Sequence, residues 1–509
     1  MKRLLVILIT TLGFGQIYPV RISGKSLDPI FAKEDLIAIS NQRVEFSNGV
    51  NWENEIVDSG CYYNHNDFIF NSIALDTNNI PNIVYNKNLF STIIFAARDD
   101  SGWQKETIDS GLFYYGFSLV VDDNNIAHLS YYRKDDSLNK TYICYAQRDS
   151  TEWRIESVDS SYGYLGNYFW YFNSSIALDT SGLPGIAYIA WNIEDSLHYI
   201  KYAHYNSFNW DTSIVSYDSL WANPSPSDLS PSLKFNDDNR PCIAFAHCHG
   251  IDDTLKYVCY DDSLGIWVLI HSFYCPHGAY PLSLRLDSQD YPRIAHNYDG
   301  SLAYTWWDGI SWHTDYIILV GWDGVDIHLD VDSFDRPHIA YLPDQNGRPY
   351  YCYKDSIWHL CGPIEPDTSY KTFQEDISFV LDDNDCPCVS YPFYKYVGYS
   401  ISGIKYAKGT FVGVEEKKNR QQQCGFELQV FPNPSRGTAN IDYALHEHNE
   451  IALSIYDVAG VMVKQIKQGY FVPGYYREKI NTENLSSGVY FIILKQDNEK
   501  VSEKFLIVK

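Results

Sequence analysis

One unit recurs seven times along this chain, and that repetition limits the possible folds more than any other feature. Each copy has a Ser, replaced by His328 in the sixth, a short apolar-alternating stretch, an acidic turn and, in most copies, Pro followed by Ile-Ala-Tyr or a close variant. The copies start at Ser72, Ser118, Ser175, Ser232, Ser283, His328 and Ser378. From the first acidic residue, Asp76, to the last, Asp382, there are 306 positions in six intervals, a mean of about 51 residues. A third stretch follows in each unit, such as residues 94–97, 143–146, 200–203 and 404–407, and then a fourth opened by Trp. Four short strands per unit predict the blade of an all-β, seven-bladed β-propeller, a radial array that leaves only short edges.

Alternation supports the strand assignment. After the proline, the second and fourth positions are Ile and Tyr or Phe in most copies, and the third is small, so bulky and small faces alternate between neighbouring blades. The proline sits at the strand entrance, where its missing N–H is tolerated. Acidic runs such as 76–79 and 382–385 read as Asx turns rather than calcium loops, since no Gly and terminal Glu of the EF-hand kind follow. Trp103, Trp153, Trp210, Trp267, Trp312 and Trp358 open six fourth strands, and the seventh unit has none. Residues 52–58 match 103–109 and 153–159, so the N-terminal side is expected to supply the missing strand and close the circle. The tryptophans are expected to pack between blades. The unit resembles propeller repeats of secreted bacterial proteins, including sialidase-like domains, over residues 43–408; the sialidase Asp box is not present, and no catalytic residues follow from the likeness.

The ends of the chain carry separate signals. Residues 1–16 combine Lys2 and Arg3, an apolar run over 4–9 and small residues at a plausible cleavage point, which is an export signal too short to span a bilayer. Residues 17–42 form a lead segment. A formal charge of −25 argues against nucleic acid and against an electrostatic grip on anionic lipid. Eleven cysteines in an exported chain suggest disulfides, with no pairing legible from their spacing. Cys242, His247, Cys248 and His249, or Cys386 and Cys388, could be imagined as metal ligands, but neither group has zinc-site spacing, so no metal and no cofactor is expected.

After a polar linker at 409–425, a different pattern of short alternating strands fills residues 426–509 and predicts a small immunoglobulin-like β-sandwich. It carries Phe431, Pro432, Asn433 and Pro434, then Tyr456, Asp457 and Gly460, then Leu485, Gly488 and Tyr490, and ends at Lys509. In that order these motifs resemble the type A sorting domain of the type IX secretion system. The resemblance implies passage across the outer membrane, with the secretion machinery as partner, and release or attachment at the cell surface.

Loop aromatics are the candidate ligand contacts. Tyr62, Tyr63, Tyr114, Tyr115, Tyr164, Tyr168, Trp170, Tyr171, Trp221, Tyr280 and Trp322 fall where polar loop residues would be ordinary, and rigid amphipathic rings suit a sugar face or a peptide. The reading is a non-catalytic glycan- or protein-binding module. Its alternatives are a polysaccharide-degrading glycosidase or lyase and a purely structural surface protein.

Overall fold

The computed structural model describes residues 44–411 and 426–508, less short stretches of the connections that include 61–68, 163–172, 220–229, 276–278 and 321–325. The chain divides after Thr410 into two compact units.

The first unit is seven antiparallel sheets, each built from one repeat. Their first strands are Asn71–Leu75, Phe113–Val121, Ser175–Leu178, Pro231–Phe235, Leu282–Leu286, Asp326–Val331 and Ser378–Leu381. Each packs against the next, and the last packs back against the first, so the first strands are innermost and the ring is closed. The outermost strand of blade 7 is Val50–Ser59, paired with Ser400–Phe411. Gly60 N donates to Ser402 O at 2.8 Å near one end of this pair, and Thr410 Oγ1 reaches Asn51 O at 3.5 Å near the other. The N-terminal segment thus closes the seven-bladed propeller as the sequence predicts.

The repeated residues explain what holds the blades together. At all seven junctions the Trp that opens a fourth strand meets, edge to face, a third-strand aromatic of the preceding blade. The pairs are Trp103–Tyr406, Trp153–Phe95, Trp210–Tyr145, Trp267–Tyr202, Trp312–Tyr257, Trp358–Tyr304 and Trp52–Tyr351, with centroids 5.2 to 6.1 Å apart. Such pairs add roughly 0.5–1.5 kcal/mol each beyond the area they bury. The serines form an inner latch: Ser72, Ser118, Ser175, Ser232 and Ser378 each accept the backbone N–H of the following blade's first strand, at 3.0 to 3.1 Å. A third tie joins the Tyr of Ile-Ala-Tyr to an acid of the preceding blade's outer strand. Tyr85 donates to Asp58, Tyr131 to Asp109 and Tyr188 to Asp159. At the junction of blades 6 and 7, Tyr391 donates to Glu365, which is also paired with Lys405.

The acidic turns are Asx turns, as expected. Asp76 Oδ1 accepts the N–H groups of Asn78 and Ile80, and Asp382 Oδ1 those of Asn384 and Cys386. The residue that ends each turn has positive φ, for example Asn79 at 61° and Asp385 at 58°, which is why Asn, Asp or Gly stands there. Where it is Asn or Asp, its side chain also reaches the neighbouring turn, as in Asp383 N to Asn79 Oδ1 across the closing junction.

Two features were not anticipated. Val44–Ser47 adds a parallel fifth strand to the outside of blade 6, with Val44 opposite Trp358 and Ser47 opposite Cys361. Cys242, weighed above as a metal ligand, is disulfide-bonded to Cys259, directly opposite it on the adjacent strand of blade 4.

The second unit packs a three-stranded sheet, Phe426–Phe431, Thr438–Leu445 and Gly474–Asn481, with a four-stranded one, Asn449–Asp457, Met462–Phe471, Gly488–Gln496 and Glu499–Ile507. Ile441, Leu453, Ile455, Ile492, Leu494 and Phe505 form its core, so it is a small β-sandwich.

Candidate functional site

The inner wall of the ring departs from the repeat in one sector. Two residues after the repeat Ser, blades 1, 2, 3 and 7 carry Ala74, Val120, Ala177 and Val380, small or apolar groups. Blades 4, 5 and 6 carry Lys234, Arg285 and Asp330 at that position, and blade 6 has His328 where the others have Ser. Because the first strands are innermost, these four ionisable residues lie on consecutive strands around the axis.

Hydrogen bonds decide which groups are fixed. Arg285 Nε donates to Asp330 Oδ1 at 2.9 Å, and Arg285 Nη1 to the Leu284 carbonyl at 3.1 Å. Asp330 also accepts the N–H of Val331 on Oδ1 and, from blade 7, that of Leu381 on Oδ2. Asp326, whose Oδ2 lies 3.6 Å from His328 Nε2, accepts Ile327 N on one oxygen and Ile377 N on the other. These carboxylates do in blades 5 to 7 what serine does elsewhere, stapling inner strands together.

Lys234 is different. It is partly buried, and burial, then the neighbouring charge of Arg285, push its amine down to about 7, against a smaller upward pull from Asp330. The Ser230 hydroxyl, two residues before the latch serine of the same strand, is buried without a partner among the described residues. The sector therefore offers an ammonium that titrates near neutrality, a guanidinium, an imidazole and a hydroxyl, anchored by two carboxylates that are already engaged.

The rim aromatics fare unevenly. Tyr114 and Tyr115 lie not in a loop but in the strand Phe113–Val121, both buried; Tyr114 meets Tyr131 edge-on, and Tyr115 stacks on Tyr132 at 5.2 Å. Their burial in a strand departs from the exposed loop position that the sequence suggests. Tyr280 is partly buried beside the first strand of blade 5. Tyr62, Tyr63, Tyr164, Tyr168, Trp170, Tyr171, Trp221 and Trp322 lie outside the described residues. Sequence reasoning missed the axial cluster. Its signal was present, as charges breaking a row of Ala and Val.

In the C-terminal unit, Asp457 Oδ1 accepts Val461 N at 2.9 Å and so fixes the turn of its motif. Gly488 opens the strand Gly488–Gln496, and the buried Tyr490 donates its hydroxyl to Ser486 O at 3.0 Å. Ser435, which follows the Pro-Asn-Pro run, exchanges backbone bonds with Leu506 and Val508 of the chain's end. Pro432, Asn433, Pro434, Gly460 and Lys509 lie outside the described residues. The sequence of this unit matches the family model of the secretion system C-terminal sorting domain over residues 429–509.

Residues 429–509 are a secretion sorting domain. The sorting domain makes this an extracellular or outer-surface propeller protein and makes the secretion machinery its partner in export. No curated protein matches the sequence. Among solved structures, the chain is similar to the six-bladed fucose-binding lectin of Aleuria aurantia, at 13% identity over 57% of this chain and 93% of that one, with a TM-score of 0.40. It is similar to the polysaccharide lyase Uly1, at 10% identity over 67% and 89%, with a TM-score of 0.40. The periplasmic gluconolactonase PpgL of Pseudomonas aeruginosa is similar at 9% identity over 67% and 99%, with a TM-score of 0.41.

Proposed function

We propose that the propeller takes an acidic polysaccharide outside the cell and that Lys234 and Arg285, at the ring axis, receive its anionic group. The observation that carries this reading is the placement of two cationic side chains at inner-strand positions that four other blades fill with Ala or Val. Replacing a small apolar group by a partly desolvated ammonium costs stability, and Asp330, already bonded to Arg285 and to two backbone N–H groups, is one carboxylate for two cations, which leaves a positive charge for a ligand to meet. Carboxylate and sulfate groups of polysaccharides carry the opposite charge and accept both hydrogen bonds.

A second reading, eliminative cleavage of such a chain, is favoured by the Lys234 amine standing near neutrality, where a fraction is free to take a proton. The test is retention of the mature chain on immobilised acidic and neutral polysaccharides, with ultraviolet detection of unsaturated products. Acidic chains are expected to bind, and Lys234→Met to weaken binding about tenfold, one charge-assisted contact, without lowering the melting temperature. Wild-type binding is expected to weaken as pH rises through about 7, where the ammonium loses its proton. Equal retention of neutral chains, or no effect of Lys234→Met, contradicts the reading; unsaturated product selects the lyase.

A further inference from the structure

The junction of blades 6 and 7, where the N-terminal strand closes the ring, departs from the repeat. Two residues after the Trp that opens each outer strand stand Lys105, Ile155, Thr212, Leu269, Thr314 and Leu360, but Asn54 in the closing strand. The tyrosine tie here ends on the longer Glu365, where those of blades 1, 2 and 3 end on Asp58, Asp109 and Asp159. An amide, a carboxylate, an ammonium and a phenol are thereby gathered in one place.

Their hydrogen bonds give each a chemical role. Asn54 Nδ2 donates to the Ile364 carbonyl at 3.2 Å, which turns Oδ1 toward Tyr391, and the Tyr391 hydroxyl donates to that oxygen at 2.6 Å. The same hydroxyl lies 3.1 Å from Glu365 Oε2, the oxygen that also holds the Lys405 ammonium. Asn54 and Lys405 sit on paired strands. With Thr410 reaching Asn51 and Gly60 reaching Ser402, Asn54 falls about opposite Ala407, which makes Lys405 its diagonal neighbour. Glu365, Tyr391 and Lys405 are buried, and the ring centroids of Tyr370 and Phe393 lie 3.3 and 5.6 Å from the ammonium. Burial, then the Glu365 charge, push the Tyr391 hydroxyl well above the ordinary tyrosine range, so it stays a donor.

We infer that Lys405 and Asn54 become joined through an amide bond, which makes the closure of the ring covalent. The Lys405 ammonium passes a proton to Glu365, and the freed amine attacks Asn54 Cγ. Once protonated, Glu365 no longer competes for the Tyr391 proton, and the hydroxyl serves Asn54 Oδ1 as negative charge develops there. Glu365 then gives its proton to Nδ2 and takes one from Nζ, the Cγ–Nδ2 bond breaks, and ammonia leaves. The Nζ–Cγ bond replaces the Cγ–Nδ2 bond, nothing is oxidised or reduced, and Glu365 is left holding one proton that began on Lys405. The ion pair is the state before reaction, so its own stability is read on chain of full mass.

The test is the mass of the mature full chain after prolonged incubation, with tandem mass spectrometry of its tryptic fragments. The expected result is one fragment that holds both Asn54 and Lys405, lighter than the two separate fragments together by one ammonia, about 17 Da. Lys405→Arg, which keeps the cation but not the nucleophile, and Glu365→Gln are expected to yield the two fragments separately. Asn54→Ala is the companion variant should either fail to fold, because it leaves the ion pair in place; it too is expected to give no linked fragment. Wild-type fragments that stay separate, from chain at full mass, overturn the inference. So does a link from Asn54 to another lysine, or a link that Glu365→Gln forms as readily as the wild type.

Discussion

Glu365 and Lys405 join blades 6 and 7 as a buried ion pair, with 3% and 5% of their surfaces exposed. Glu365 Oε2 also accepts the Tyr391 hydroxyl at 3.1 Å, and the Lys405 ammonium lies 3.3 Å from the centroid of the Tyr370 ring. Replacing Glu365 by Ala leaves the ammonium in a site with little water, whereas Tyr391 keeps a second acceptor, Asn54 Oδ1, at 2.6 Å. Breaking one side of a buried pair typically costs about 3–5 kcal/mol, and removing both charges together costs far less. Glu365→Ala is therefore expected to destabilise the propeller by about 3–5 kcal/mol. Lys405→Met, which strands the carboxylate instead, is expected to do the same. The double variant should lose only about 1–2 kcal/mol, so the cycle gives a coupling of several kcal/mol. Denaturant unfolding of the full mature chain, following the propeller transition by its tryptophans, measures all three. Additive single effects would refute the claim that these groups hold each other in a dry junction.

Two further outcomes follow from the same geometry. His296 is buried, with Nε2 at 2.9 Å from Thr305 Oγ1, and burial pushes its imidazole down to about 4, so it stays neutral in the fold while the unfolded chain takes up a proton near 6.5. Its contribution is complete above about 6.5 and is lost as pH falls toward 4, about 3 kcal/mol in all; melting temperatures measured across that window should fall less for His296→Phe, which copies Phe245 of blade 4, and an unchanged slope would contradict the assignment. Gly403 lies in an otherwise ordinary strand, but a Cβ there would run into the Asp58 carbonyl of the closing strand. Gly403→Val should lower the melting temperature by several degrees; a strand without that neighbour would tolerate or welcome a β-branched residue, so a rise would count against the closure.

The ring was legible because each blade repeats the same contacts. Trp52 announced the missing strand since its neighbours in sequence copy those of Trp103 and Trp153, and the Asp that ends each copy proves to be the acceptor for a tyrosine in the next blade. Single events were harder to see. The Cys242–Cys259 bridge depends on the register of two strands, which spacing does not reveal. Val44–Ser47 is four residues long and finds its partner about three hundred residues away. Tyr114 and Tyr115 read as loop residues because the first strand of blade 2 begins earlier than those of its neighbours, through a register irregularity between Tyr115 and Ser118. Lys234, Arg285 and Asp330 were visible as departures from the repeat, but their meaning required knowing that the first strand of each blade is the innermost.

Amide exchange along Val50–Ser59 bears most directly on whether the N-terminal segment locks the circle. If it is the outer strand of blade 7, its paired amides exchange slowly and lose protection together with those of Ser400–Phe411 as denaturant is raised, one cooperative unit made from opposite ends of the propeller. Exchange of Val50–Ser59 at the rate of an unstructured peptide, with the seventh blade still protected, would show a ring closed by something else.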